Sequence, residues 1–147
     1  TLGKALGTAG ALVVGDADAV GHLAETARPY VYTTALPPAL AAAALQAVTL
    51  ARDGDPLRAR LHAHLERFRA RARGHGLALP GSTTPIQPVI CGDDARALAM
   101  AAHVEADGVW IAAIRPPTVP DGQARLRVTL SAAHADGEVD RIADALA

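Results

Sequence analysis

Arg125-Leu126-Arg127-Val128-Thr129-Leu130 decides the fold class, because charged or polar and apolar side chains alternate along it. A period of two belongs to a strand with one face on a core and the other open. Working outward, residues 136–146 read as an amphipathic helix, and Val109 to Ile114 as a second strand. Between those two strands, Arg115-Pro116-Pro117-Thr118-Val119-Pro120 is excluded from regular structure, since three prolines remove three backbone donors. Asp93 or Asp94 caps a helix reaching about Ala106. Ile86 to Ile90 is a third strand candidate, behind the loop Pro80-Gly81-Ser82-Thr83-Thr84-Pro85. Leu57, Leu61, Leu65 and Phe68 recur at helical spacing, with arginines on the other faces, which predicts a helix over 57–73. Residues 55–147 therefore read as one α+β layer: strands 86–90, 109–114 and 125–130 under helices 57–73, 94–106 and 136–146.

The first fifty residues have a different texture. Ala9 to Val14 is a short apolar run ending at Gly15-Asp16, expected to be a buried strand. Asp16 or Asp18 caps a helix through about Thr26, and Pro29 to Thr34 is expected to be extended. Pro37-Pro38 opens a helix over 38–52. No charge falls between Thr33 and Ala51, so a membrane span has to be weighed, but alanine dominates and leucine is sparse. A buried helix is the expectation. Arg52-Asp53-Gly54-Asp55-Pro56 then breaks the pattern. The opening Thr1-Leu2-Gly3-Lys4 has no initiator Met, basic leader or cleavage pattern, and reads as the middle of a longer protein.

The 147 residues suffice for one ordinary domain. Half are apolar, only 3% are aromatic, and roughly a quarter are alanine, so the core is built from small aliphatic side chains. Fourteen basic against fifteen acidic residues leave a net charge of −1, which argues against nucleic acid or an anionic membrane as partner. A single cysteine, Cys91, makes no internal disulfide and points to a reducing, cytoplasmic setting. It ends a strand and reads as a small buried hydrophobe. His62 and His64, two apart on a helix, face different ways, and no third ligand sits at metal-site spacing, so no metal is expected.

Two places can carry chemistry. Lys4 lies between Gly3 and Gly7, three residues after Thr1. A phosphate loop needs Gly before the lysine and Ser or Thr after it, and Ala5 follows instead. Small neighbours leave room for a bulky aldehyde that the amine could bind covalently; a plain surface lysine in a Gly-rich turn fits the spacing as well. Arg125 and Arg127 share strand parity, so one face carries two guanidiniums, with Arg115 across the proline loop. They suit a carboxylate ligand, or else surface ion pairs.

These residues, together with longer stretches, resemble a known family. Thr1-Leu2-Gly3-Lys4-Ala5-Leu6-Gly7 is similar to the lysine segment of the pyridoxal-phosphate-dependent α-oxoamine synthases. Ala113 to Pro120, Ala124 to His134, Ala27 to Pro38 and Ile86 to Ile90 resemble further segments of that family, in order along the whole chain. The resemblance implies an α/β fold, the C-terminal part of a fold-type I pyridoxal-phosphate-dependent transferase. Residues 1–50 would end the large cofactor domain, and 51–147 would form the small C-terminal α+β domain.

It further implies that Lys4 carries pyridoxal 5′-phosphate and serves as the catalytic base, with Thr1 at the cofactor phosphate. Thr33 and Thr34 resemble the segment that reaches the neighbouring subunit's phosphate in a homodimer. Thr118, Arg127 and Arg115 would bind substrate. The Arg-Pro-Pro-Thr-Val-Pro loop favours the members that condense L-alanine with a pimeloyl thioester, on CoA or a carrier protein, in biotin biosynthesis. Siblings using glycine or serine are the alternative, as is a non-catalytic C-terminal fragment. The residues contacting the cofactor ring have no counterpart in these 147.

Overall fold

A computed structural model describes residues 1–147. The order of elements is α1 (Ala17–Thr26), α2 (Arg28–Val31), α3 (Pro38–Arg52), α4 (Asp55–Gly74), β1 (Ile86–Gly92), α5 (Asp94–Ala106), β2 (Ala112–Ile114), β3 (Ala124–Thr129) and α6 (Asp136–Asp144). The chain divides into two compact units, Thr1–Asp55 and Pro56–Ala147.

In the second unit the strands form one antiparallel sheet in the order β1-β3-β2. Register pairs Val89 with Leu126, Pro88 with Arg127, and Ala113 with Leu126. The alternation read at 125–130 is realised: Ala124, Leu126 and Val128 are buried, while Arg127 and Thr129 are exposed. The buried face packs on α5 and on a core that includes Phe68, Val104, Val139 and Ala143, each with no accessible surface. Asp93 caps α5 by accepting the Arg96 N–H at 2.8 Å. At α6 the cap is half of a capping box. Ala135 has no side-chain acceptor, but its own N–H donates to the Glu138 carboxylate at 2.7 Å. The ladder of β2 is shorter than the expected 109–114, because Trp110 and Ile111 precede the pairing with β3; Val109 and Ile111 are buried nevertheless.

The first unit departs further from expectation. Residues 9–14 are not a strand: they join no sheet ladder, and Leu12, Val13 and Val14 are 65%, 66% and 90% exposed. β-Branching makes a strand only where another strand offers a ladder. Pro29 to Thr34 is not extended either. Pro29 occupies the first turn of α2, where its missing N–H costs nothing, and the Tyr32 N–H donates back to the Arg28 carbonyl at 3.2 Å. Asp16 caps α1 as expected, accepting the Asp18 N–H at 3.0 Å. Helix α3 forms over the expected residues but is not buried: no residue in it is, and Leu45 and Leu50 are 70% and 62% exposed. Alanine's helix propensity and Pro38 in the first turn shape it without a covering layer. No helix of the chain is long and apolar enough to cross a membrane.

Candidate active site

In the first unit, Lys4 sits on a loop closed at its base. The Leu2 N–H donates to the Gly10 carbonyl at 2.9 Å, the Thr8 N–H to Leu2 at 3.2 Å, and the Gly7 N–H to Lys4 at 3.0 Å. Gly10, at φ +115°, is where the closure needs glycine, because side-chain-bearing residues rarely adopt that backbone conformation. Leu2 is the anchor, 6% exposed, and it leaves Lys4 and Thr1 exposed on the outside of the loop. The Lys4 amine has no hydrogen-bond or ion-pair partner, and the Thr8 hydroxyl is buried without one. Thr33 and Thr34 line a groove of about 820 Å³ with Leu2, Tyr30, Leu36 and Val48. The structure thus brings the Thr33–Thr34 pair to the anchor of the lysine loop, whereas Lys4 and Thr1 do not line the groove.

In the second unit the decisive feature is the open face of the sheet. Residues paired across an antiparallel ladder point the same way, so Ile86, Pro88 and Ile90 share a face with Thr129, Arg127 and Arg125. Ala112 and Ile114 of β2 complete it from the other side. The result is two guanidiniums on a largely apolar floor. They are not equivalent. Arg125 is braced by Gln123, donating from Nε to the Gln123 carbonyl at 2.8 Å and from Nη2 to its side-chain oxygen at 3.4 Å. Arg127 is exposed and has no side-chain partner. It lines a groove of about 360 Å³ with Trp110, Ile114, Thr129 and His134. Arg115 and Thr118 share one turn, the Thr118 N–H donating to the Arg115 carbonyl at 3.0 Å; both side chains are exposed and neither lines that groove.

The surface ion pairs weighed for the arginines lie elsewhere, between α4 and α6. Arg67 holds Asp140 in two hydrogen bonds at 2.7 and 2.6 Å and reaches Asp136 at 3.1 Å. Arg71 holds Asp144 at 2.5 and 2.8 Å, and His75 joins it at 2.8 Å. These hydrogen bonds hold the Asp144 carboxyl down at about 2, Arg71 first and His75 second, and Arg67 lowers Asp140 in the same way. None of these residues lines the Arg127 groove, so the ladder is a fastening and not a site. No group of three His, Cys, Asp or Glu residues is arranged to hold a metal.

Trp110 and His134 are the groove residues that residue-by-residue reading of the sequence missed. Trp110 is signalled by parity: two before Ala112 and four before Ile114, it extends the open face of β2. His134 lies outside any periodic element and carries no such signal.

Residues 1–146 match the family model for aminotransferase class I and II. The chain is 58% identical over all its 147 residues to 8-amino-7-oxononanoate synthase of Stenotrophomonas maltophilia, and 60% identical over 146 residues to that of Xanthomonas oryzae pv. oryzae. It spans 36% of the length of each of these relatives. Among solved structures, Sphingomonas wittichii serine palmitoyltransferase superposes with a TM-score of 0.90 at 30% identity, covering 99% of this chain and 37% of that one. Francisella tularensis 8-amino-7-oxononanoate synthase superposes at 0.84 and 27% identity, covering 99% and 42%. Matched by the model over all but its last residue, the chain belongs to the aminotransferase class I and II family and carries part of that family's α/β fold.

Proposed function

We propose that the chain is the C-terminal portion of an 8-amino-7-oxononanoate synthase, a cytoplasmic, homodimeric enzyme condensing L-alanine with a pimeloyl thioester with loss of carbon dioxide. Residues 1–50 would close its large domain and 51–147 would be its small domain. The observation that carries the reading is similarity at 58% identity along the full chain, with Lys4 left unpartnered on a glycine-closed loop.

The donor set fits pyridoxal 5′-phosphate. Lys4 offers an accessible amine flanked by Gly3 and Ala5, and Thr1, Thr33 and Thr34 offer exposed hydroxyls for a phosphate. When bound, the cofactor supplies an electron sink for charge at the alanine α-carbon. Lys4 Nζ then acts as general base, taking the α-proton from alanine and returning a proton before product leaves. The Arg127 guanidinium, with no internal partner to give up, binds a substrate carboxylate through two parallel hydrogen bonds. Trp110 and Ile114 line the same groove and offer apolar surface to the rest of the substrate. Thr118 and Arg115 complete substrate binding from the proline loop. Thr33 and Thr34 serve the partner's phosphate across the dimer.

The test uses the full-length protein that contains this chain. Borohydride treatment of the cofactor-loaded protein should fix a phosphopyridoxyl mass on the peptide carrying Lys4, and Lys4→Ala should lose both that mass and turnover of alanine with pimeloyl-CoA. A mass fixed on another lysine, or turnover by the variant, overturns the assignment. The TM-score of 0.90 with a serine palmitoyltransferase supports a second reading, a sibling using serine and a longer acyl thioester. Offering serine with palmitoyl-CoA in the same assay separates the two.

A further inference from the structure

The turn from Ser131 to Asp136 delivers His134 to the Arg127 groove, with the His134 N–H donating to the Ser131 carbonyl at 3.3 Å and the Ala133 N–H to the Ser131 hydroxyl at 3.1 Å. It is also held from α4. Arg60, His64 and Arg67 are spaced by four and three residues, so they form one stripe along that helix. Arg60 Nη2 donates to the His134 carbonyl at 2.9 Å, and Arg67 Nη1 donates to Asp136 at 3.1 Å. Between them His64 is 2% exposed, with both ring nitrogens facing acceptors: Nδ1 is 3.0 Å from the Ser131 carbonyl, and Nε2 is 3.3 Å from Asp136 Oδ1.

A carbonyl only accepts, so Nδ1 carries the proton of the neutral ring, and the Nε2 lone pair is left against a carboxylate. Nε2 is buried at that short distance from Asp136 without forming a hydrogen bond to it. A second proton makes the ring a cation 3.3 Å from the Asp136 carboxylate, and this ion pair lets His64 tie both ends of the turn at once.

We propose that His64 is a proton-operated positioning residue: protonated, it clamps Ser131 and Asp136 together and steadies His134 beside Arg127; neutral, it leaves Asp136 to Arg67 alone. The charged groups around it are Asp136 on α6, with Asp140 behind it on Arg67, and Arg60 and Arg67 on α4 itself. His134 works in the opposite sense, because its Nδ1 accepts the Ser131 N–H at 3.3 Å and protonation removes that acceptor. The proposal goes beyond the chemistry assigned above and stands whether or not that assignment does, since its test needs neither substrate nor cofactor.

Amide hydrogen exchange at Ala133, His134 and Ala135 is followed in the 147-residue chain and in His64→Gln, which keeps a neutral donor for the Ser131 carbonyl and cannot take a proton. Taking the ratio of wild-type to variant protection cancels the titration of His134 and the intrinsic pH dependence of exchange. Going from about pH 8 to about pH 5, that ratio should rise about fivefold, the difference between a charged and a neutral hydrogen bond. Asp136→Asn leaves His64 in place but removes the carboxylate. Its side-chain site is 65% exposed, so the fold tolerates it, and measured against wild type it should give the same rise. A ratio that stays flat across the pH range with either variant overturns the proposal.

Discussion

The two units of this chain use the same alanine-rich composition to opposite effect. The second unit closes a core of seventeen buried residues around Phe68 and Leu126, whereas the first buries one large apolar side chain, Leu2. The difference lies in how each arranges its apolar residues. In the second unit a period-two strand and three amphipathic helices present matching faces. In the first, α1 and α3 are held by local features, the Asp16 cap and Pro38 in the first turn, and their apolar side chains meet no facing layer. Helix formation is a local event; burial requires a partner surface.

The largest effect that could break this contrast is a core truncation. Phe68→Ala should destabilise the second unit by about 3–5 kcal/mol, the usual loss for a fully buried aromatic. Leu45→Ala on α3, 70% exposed, should change stability by less than about 0.5 kcal/mol. Urea unfolding monitored at the single tryptophan, Trp110, reads the first, and circular dichroism of the helices reads the second. Equal losses would mean that the first unit has a core of its own.

Acid should sharpen the contrast next. Asp144 is held at about 2, below the ordinary carboxylate value near 3.8, by Arg71 and His75. A lowered carboxyl favours the fold above its unfolded value and loses that advantage as pH falls through the folded one. The thermal midpoint of the second unit should therefore hold steady down to about pH 4 and fall between about pH 4 and about pH 2. Asp144→Asn should flatten this decline, and a midpoint with the same acid profile in the variant would show that the α4–α6 ladder does not contribute. The helices of the first unit carry no such ladder and should show no matching step in circular dichroism.

How far the sequence reveals the molecule follows the same division. Strand and helix positions from Asp55 onward are legible because each element's period agrees with the tertiary face it presents. Ala9 to Val14 misleads because β-propensity states a preference for a ladder, and no strand in the chain supplies one. Pro29 to Thr34 misleads because a proline followed by aromatic and β-branched residues suits an extended piece, while its place in a first turn suits a helix equally. At the groove, parity points to the shared face of Arg125 and Arg127 but not to their difference. Gln123, two residues before Arg125, engages one guanidinium, and only side-chain geometry distinguishes the engaged arginine from the free one.

That distinction gives the smallest expected effect and the most selective test. Arg127 has no partner inside the chain, so Arg127→Gln should leave the stability of the second unit within about 0.5 kcal/mol of the original. It should nonetheless weaken binding of a carboxylate probe such as pimelate, followed by Trp110 fluorescence, because both residues line one groove. Arg125→Gln gives up two contacts to Gln123 and should cost slightly more stability, with little change at the groove. If Arg125→Gln abolishes pimelate binding while Arg127→Gln leaves it intact, the two arginines have exchanged roles, and the open face must be read from Arg125.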